Sequence, residues 1–259
     1  LEDPVRLEPL PALADNYIWA LADDDGGRAI LVDPSEPGPV LAAVQRGLRP
    51  AGVLLTHHHH DHIGGVPALL ERWPDLPVLA PDDDRVPPAY RRVRDGETVE
   101  LADWHFEVLA VPGHTRSHVA YFGHGLLFCG DTLFSLGCGR MFEGTPEQMY
   151  GSLSRLAALP SDTRVCCGHE YTLANAAFAG VVEPGNPALK RRIEEAQAMR
   201  ESDRPTLPST LAEECAANPF LRVDEAEVRA SLGRHLGRAP IDSIDAFAAL
   251  RRWKDGFAA

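Results

Sequence analysis

The chain has 259 residues, a length that allows one large domain or two ordinary ones and excludes a peptide or a small disulfide-stapled scaffold. Hydrophobic residues at 44% and charged residues at 24% match an ordinary folded domain and exclude collagenous, coiled-coil and largely disordered chains. A net charge of -13, from 38 acidic against 25 basic residues, argues against a surface that grips nucleic acid or an anionic membrane, so an anionic ligand must meet a local cationic patch.

Apolar runs of strand length, bounded by Gly, Pro and Asp turns, predict strands at residues 17–21, 29–32, 52–55, 106–111, 119–122, 126–129 and 164–167. Helical patterns interleave at residues 39–47 and 66–73, and again from Thr145, where Thr caps, Pro146 suits the first turn and Gln148 completes a capping box. This alternation predicts an α/β fold with helices packed outside sheets. Past Tyr171 the strand-like runs stop. Asn186 and Pro187 open a charged helix in which Lys190 and Arg191 stand one turn before Glu194 and Glu195. Thr210 and Glu213 form a second capping box, and a last helix at 243–254 carries Ile244 and Phe247 on one side. The expected division is a mixed domain over residues 1–172 and a helical domain over 173–259.

The five cysteines, Cys129, Cys138, Cys166, Cys167 and Cys215, are odd in number, include an adjacent pair and show no C-x-x-C spacing. Neither a disulfide framework nor a thiolate zinc site is expected, and a reducing compartment is. The N-terminal Leu1-Glu-Asp-Pro-Val lacks the basic-then-apolar signature of a secretory signal, and no apolar run reaches the roughly 18 to 20 residues needed to span a bilayer. A cytoplasmic protein is the expectation.

Four consecutive histidines at 57–60 lie well inside the chain, follow a predicted strand and run on into Asp61 and His62, which sets them apart from a purification tag. Read as Thr56-His57-x-His59-x-Asp61-His62, the segment supplies imidazole and carboxylate donors suited to zinc, iron or manganese. His57 and His59 are offset by two residues, and the side chains of the neighbours Asp61 and His62 are expected to diverge, so two ions are simpler than one. Further ligands are expected where apolar runs end in Gly: Gly113-His114, Gly130-Asp131 and Gly168-His169. His58 and His60 should point outward or support the ligands, and His118 should lend a supporting hydrogen bond. His105, His124 and His235 lack such a context and read as surface or packing residues.

The string Thr56 to His62, with Gly113-His-Thr115, Gly130-Asp-Thr132 and Gly168-His-Glu-Tyr171, resembles the metallo-β-lactamase superfamily. Within it, Gly137-Cys-Gly-Arg-Met-Phe-Glu-Gly144, Val182-Glu-Pro-Gly-Asn186, Asn218-Pro-Phe220 and Leu250-Arg-Arg-Trp-Lys-Asp255 resemble glyoxalase II, the hydroxyacylglutathione hydrolases. The resemblance runs nearly end to end and implies an αββα sandwich followed by a C-terminal helical domain that helps bind glutathione. It implies that His57, His59 and His114 hold one divalent metal and Asp61, His62 and His169 a second, with Asp131 and a hydroxide bridging both and Asp61 also orienting the hydroxide. Zinc is the first expectation for both ions, with iron and manganese served by the same donors. Arg140, Tyr171, Arg251 and Lys254 would touch glutathione, helped by backbone groups near Cys138. Phe142 stands where many members carry tyrosine, which implies one phenolic hydrogen bond fewer to the peptide.

Local charge supports this independently, because glutathione carries two carboxylates and a Debye length of about 8 Å lets nearby cations outweigh a distant net charge. Arg251 and Lys254 at i, i+3 share a helical face, as a carboxylate clamp requires. The expected activity is hydrolysis of S-(2-hydroxyacyl)glutathione thioesters such as S-D-lactoylglutathione, in methylglyoxal detoxification, by a monomer without nucleic-acid or membrane partners. The competing readings are a glutathione persulfide dioxygenase with mononuclear iron and a non-catalytic metal-binding protein with a closed coordination shell.

Overall fold

In the computed structural model the chain divides into two compact units, residues 1–110 with 117–130 and residues 111–116 with 131–259. The structure describes residues 5–23, 27–87 and 90–258, so most of the N-terminal segment read for a signal, residues 1–4, lies outside the described residues.

The first unit begins with β1 (Val5–Ala12), β2 (Asn16–Asp23), β3 (Arg28–Val32), β4 (Arg49–Leu54), β5 (Val78–Pro81) and β6 (Arg91–Val93), hydrogen-bonded in that order. The first three strands are antiparallel neighbours, and β3 through β6 are parallel. Parallel strands need crossovers, supplied here by α1 (Pro37–Gln45) between β3 and β4 and by α2 (His60–Ile63) with α3 (Val66–Arg72) between β4 and β5. Val40 and Ala43 of α1 and Val66 and Leu69 of α3 share one core with Ile18, Leu31 and Val53.

The opposite face of this sheet meets a second, antiparallel one formed by β7 (Thr98–Leu101), β8 (Trp104–Ala110), β9 (Val119–Gly123) and β10 (Leu126–Gly130). Leu101 packs where a side chain at Gly52 would stand, and the Tyr121 hydroxyl donates to the Leu55 carbonyl at 2.9 Å. Residues 16–22 of β2 are therefore all buried, because its sheet is covered on both faces. β1 is an edge strand, which tolerates Pro9 and Pro11 where an inner strand would lose ladder bonds. Those prolines kept it out of the sequence-based strand assignment.

The second unit contains the short hairpin β11 (Leu133–Phe134) with β12 (Gly137–Cys138), then α4 (Pro146–Ala157), β13 (Arg164–Cys167), α5 (Thr172–Val182), α6 (Pro187–Glu201), β14 (Ser209–Thr210), α7 (Leu211–Ala217), α8 (Ala226–Leu236) and α9 (Ser243–Asp255). Thr145 and Thr210 both form the expected capping boxes, and Asn186 caps α6 through its side chain. The region past Tyr171 is not wholly helical, since Ser209 and Thr210 pair with β13. On α6 the ion pair is Arg192 to Glu195 at 3.1 Å.

Candidate functional site

In the first unit the functional groups follow the C-terminal ends of the adjacent parallel strands β3 and β4, the usual place for chemistry in such sheets. Asp33 follows β3 with a left-handed backbone (φ 51°), a conformation aspartate tolerates better than most residues. Its carboxylate is buried and accepts three hydrogen bonds, from the Thr56 N–H at 2.8 Å, the Thr56 hydroxyl at 2.6 Å and His62 Nδ1 at 2.9 Å. The Thr56 hydroxyl, having given its proton to Asp33, accepts from His57 Nδ1 at 3.0 Å. Asp33 thereby favours Nδ1–H tautomers on both His57 and His62, which makes each Nε2 the ring's acceptor atom.

Around the buried His57 ring, His59, His62 and His118 gather at centroid distances of 4.7, 4.1 and 4.6 Å, the last stacked at 17°. His57 Nε2 lies 3.1 Å from His59 Nδ1. Asp33, His57 and His62 offer donor atoms within 4.8 Å of one another. Asp61 and His62, expected to diverge, come within 3.7 Å because the short helix α2 curls their polar ends together. Asn16 steadies Asp61 from its backbone carbonyl at 3.0 Å, and the Asp61 side chain remains 43% exposed. His58 turns toward Asp83 at 3.7 Å, while His118 bonds the Val119 carbonyl at 3.1 Å and supports His57 by stacking. A Cβ at Gly130 would strike the Thr56 hydroxyl and come within 2.9 Å of the His118 ring; with φ at 48°, the position needs glycine.

The second unit brings His114, Asp131 and His169 together. His114 Nδ1 donates to the Arg140 carbonyl at 2.8 Å, which turns its Nε2 toward Asp131 Oδ2, 3.5 Å away. The same oxygen lies 3.3 Å from His169 Nε2. The residues expected to touch glutathione belong to this unit as well. The Tyr171 ring stacks on His169 at 4.7 Å and 5°, and Phe134 meets both edge-on. Arg251 is only 4% exposed, with its guanidinium committed to the Cys138 carbonyl at 2.8 Å and Asp255 at 2.9 Å. Arg140, largely exposed, reaches Asp255 at 3.6 Å. Lys254 donates to the Ala174 carbonyl at 3.0 Å and lies over the Phe178 ring at 5.4 Å. Arg140 and Arg251 thus share the Asp255 carboxylate, and with Lys254 three positive charges stand against one negative one in an acidic protein. Phe142 packs edge-on to His114 at 5.2 Å and is otherwise exposed.

These donors fit divalent metal. Buried partners orient the Nε2 atoms of His57, His62 and His114, and the remaining donors are the imidazoles of His59 and His169 and the carboxylates of Asp61 and Asp131, a set that suits zinc, iron or manganese. Donor atoms about 2.1 Å from one ion at tetrahedral angles lie about 3.4 Å apart. The separations of 3.3 and 3.5 Å around Asp131 Oδ2 match that edge length and exceed ordinary hydrogen bonds.

Asp33 and Thr56 are the functional residues that sequence reasoning missed; the available signal was a carboxylate directly after an apolar strand. His124 accepts from the His105 N–H and packs against Trp104, and His235 stacks on Trp253 at 4.2 Å, both packing roles. Cys138 is buried, and burial pushes its thiol up to about 11 even beside Arg251. Alkylation with iodoacetamide at pH 8 should therefore modify the exposed Cys215 first and leave Cys138 intact, as peptide mass spectrometry would report.

Residues 15–169 match the metallo-beta-lactamase superfamily, and residues 170–257 match the hydroxyacylglutathione hydrolase C-terminus. A hydroxyacylglutathione hydrolase of Xanthomonas campestris pv. campestris (strain B100) is 60% identical over 256 residues, covering 98% of this chain and 100% of the relative. Among solved structures, TTHA1623 in a di-iron-bound form is similar with a TM-score of 0.61 at 28% identity, over 83% of this chain and 100% of that one. ETHE1 from Myxococcus xanthus gives a TM-score of 0.58 at 30% identity, over 85% of this chain and 98% of that one. Among the described residues, no helix is long and apolar enough to cross a membrane.

Proposed function

The chain belongs to the hydroxyacylglutathione hydrolase family, with the metallo-β-lactamase fold and a C-terminal helical region, and from that premise we propose that it hydrolyses S-(2-hydroxyacyl)glutathione thioesters such as S-D-lactoylglutathione. The observation that carries this reading is the second unit's pairing of a metal-type donor cluster, His114, Asp131 and His169, with a cation patch of Arg140, Arg251 and Lys254. We assign His57, His59 and His114 to one ion, Asp61, His62 and His169 to a second, and Asp131 to both, with zinc the first choice of metal. The helical substrate-binding domain is taken to begin at residue 173, and the protein to act as a cytoplasmic monomer.

When bound, the metal pair supplies a nucleophile at neutral pH by lowering the pKa of water, and it stabilises the developing oxyanion. A thiolate leaves without needing a proton, so the side chains need no separate general acid. Asp61, partly exposed and held by Asn16, orients the nucleophile. Asp33 and the Arg140 carbonyl hold the rings of His62 and His114 by Nδ1 and so aim Nε2 into the site. Lys254 and Arg140 meet the glutathione carboxylates, while Arg251 braces the Cys138 backbone from beneath. The stacked Tyr171 borders the donor cluster on the substrate side.

The test is thiol release from S-D-lactoylglutathione with dissolved oxygen followed in the same cuvette. Thiol release without oxygen uptake is expected; oxygen uptake without thioester cleavage would favour the dioxygenase reading.

Burial, with Arg251 and Arg140 adding to it, holds the Lys254 ammonium below the ordinary lysine range. The cation is then lost on the alkaline side earlier than an ordinary lysine would be, so KM should rise there. Lys254→Ala should raise KM about tenfold at neutral pH, flatten that alkaline rise and leave metal content unchanged.

A further inference from the structure

The hairpin of β11 and β12 joins Asp131 to Arg140, the residue whose carbonyl aims His114. Two strands of two residues each cannot hold their own shape in water. Leu136 at the turn adopts a left-handed backbone (φ 58°), a conformation that is unfavourable for a bulky residue. The shape must be imposed from outside, and the hairpin's backbone groups show how. The Phe134 and Gly137 carbonyls accept from Asn218 Nδ2 at 3.0 and 2.9 Å, the Ser135 carbonyl from Asn175 at 3.0 Å, and the Cys138 carbonyl from Arg251 at 2.8 Å. The Leu136 N–H donates to Glu214 Oε2 at 2.8 Å, and the same oxygen accepts from Asn218 Nδ2 at 3.1 Å. Side chains of the helical region thus meet the hairpin's polar backbone groups one by one.

Glu214 of α7 and Asn218, which follows the helix as its C-cap, are both completely buried, and the proposed reaction uses neither. A buried carboxylate is expensive to keep and is found where something needs it. Burial pushes the Glu214 carboxyl upward, against the pull of the hydrogen bonds it receives from Ser209, Leu136, Ser135 and Asn218. Asn218 is oriented in turn by the Phe220 N–H, which donates to its Oδ1 at 3.0 Å.

We propose that Glu214 and Asn218 are positioning residues, a clamp from α7 that holds the 131–140 segment so that Asp131 and the Arg140 carbonyl keep the geometry required for metal binding. The inference rests on the metal assignment made above for Asp131 and His114. It gives the helical region a role in the metal centre in addition to its role toward glutathione. Glu214 acts as an acceptor for a backbone N–H, so a neutral side chain that still accepts can replace it.

Glu214→Met removes the acceptor at nearly constant length, Asn218→Ala removes the two carbonyl contacts, and Glu214→Gln keeps an acceptor. Each metal-loaded protein is challenged with a chelator at 25 °C, and metal loss and kcat are followed together. Glu214→Met and Asn218→Ala should lose metal about tenfold faster with kcat reduced to a similar degree, and Glu214→Gln should stay within about twofold of wild type. A purely structural clamp would lower Tm while leaving metal retention and kcat at 25 °C unchanged, and that result overturns the proposal. Should neither disruptive variant fold, hydrogen exchange of the wild-type protein decides. Strong protection of the Leu136 amide, retained after chelation, supports the clamp, and loop-like exchange there overturns it. Wild-type protein that binds metal yet cleaves no thioester defeats the reaction assignment, while the metal-retention comparison still decides the clamp.

Discussion

Replacing Asp131 by alanine is expected to lower kcat on S-D-lactoylglutathione by about a thousandfold and to strip bound metal, the largest effect foreseen for any single side chain. One oxygen of this carboxylate lies between the Nε2 atoms of His114 and His169, at 3.5 and 3.3 Å. Its loss removes the carboxylate oxygen that lies between those two imidazoles. Metal electrostatics contribute several kcal/mol to such reactions; losing about 4 kcal/mol corresponds to the stated thousandfold. The fold should survive, because the surrounding backbone is held by the Gly139 N–H on the Thr132 carbonyl and by Glu214 and Asn218 rather than by the Asp131 side chain. Elemental analysis beside near-UV circular dichroism separates loss of metal from loss of structure. An alanine variant that keeps its full metal complement and normal turnover would remove Asp131 from the proposed centre.

Asp33→Asn should weaken metal retention about 10- to 100-fold and lower stability by about 1–3 kcal/mol, although Asp33 is assigned to neither ion. Three donors converge on its two oxygens: the Thr56 N–H on one, and the Thr56 hydroxyl with His62 Nδ1 on the other. Asparagine tolerates the left-handed backbone, so strain does not confuse the result. Its amide nitrogen, however, turns one of those acceptors into a donor facing a donor. With the nitrogen on one side the Thr56 hydroxyl and His62 Nδ1 lose their shared acceptor, and with it on the other the Thr56 N–H does. Chelator competition and thermal unfolding measured on the same preparations check both effects. Metal retention equal to wild type alongside a lowered Tm would reduce Asp33 to a packing role.

Much of the architecture was legible because it is written in local chemistry. The runs before His57, Asp131 and His169 are apolar enough to be strands in any context, and β4, β10 and β13 are found there. The caps of α4, α6 and α7 are fixed by two or three neighbouring side chains, so each could be placed from short spacings alone. β1 was hidden because its prolines are acceptable only on a sheet edge, and edge position is a property of the whole sheet. The α5 segment is apolar nearly all round and lacks a side-chain cap, so it offered neither amphipathic period nor start signal.

At the site, ligand types and candidate positions could be read from motif spacing, whereas the groups that orient them could not. Asp33 lies 23 residues before Thr56 in the chain, and only the pairing of β3 with β4 brings the two together. The spacing of Arg251 and Lys254 correctly puts both on one helix, but burial separates their roles. Arg251 is committed to the Cys138 carbonyl, while Lys254 is less deeply enclosed. Glu214 reads in sequence as one more charged helix residue, and its buried acceptor role depends on a hairpin 78 residues away in the chain.

The account depends most on seven side chains holding two ions that act together. Metal-free protein titrated with zinc, with bound metal and thiol release from S-D-lactoylglutathione measured at every step, tests this directly. Activity should climb until two ions are bound per chain and then level off. Saturation of thioester cleavage at a single ion, or cleavage that proceeds without metal, would contradict it.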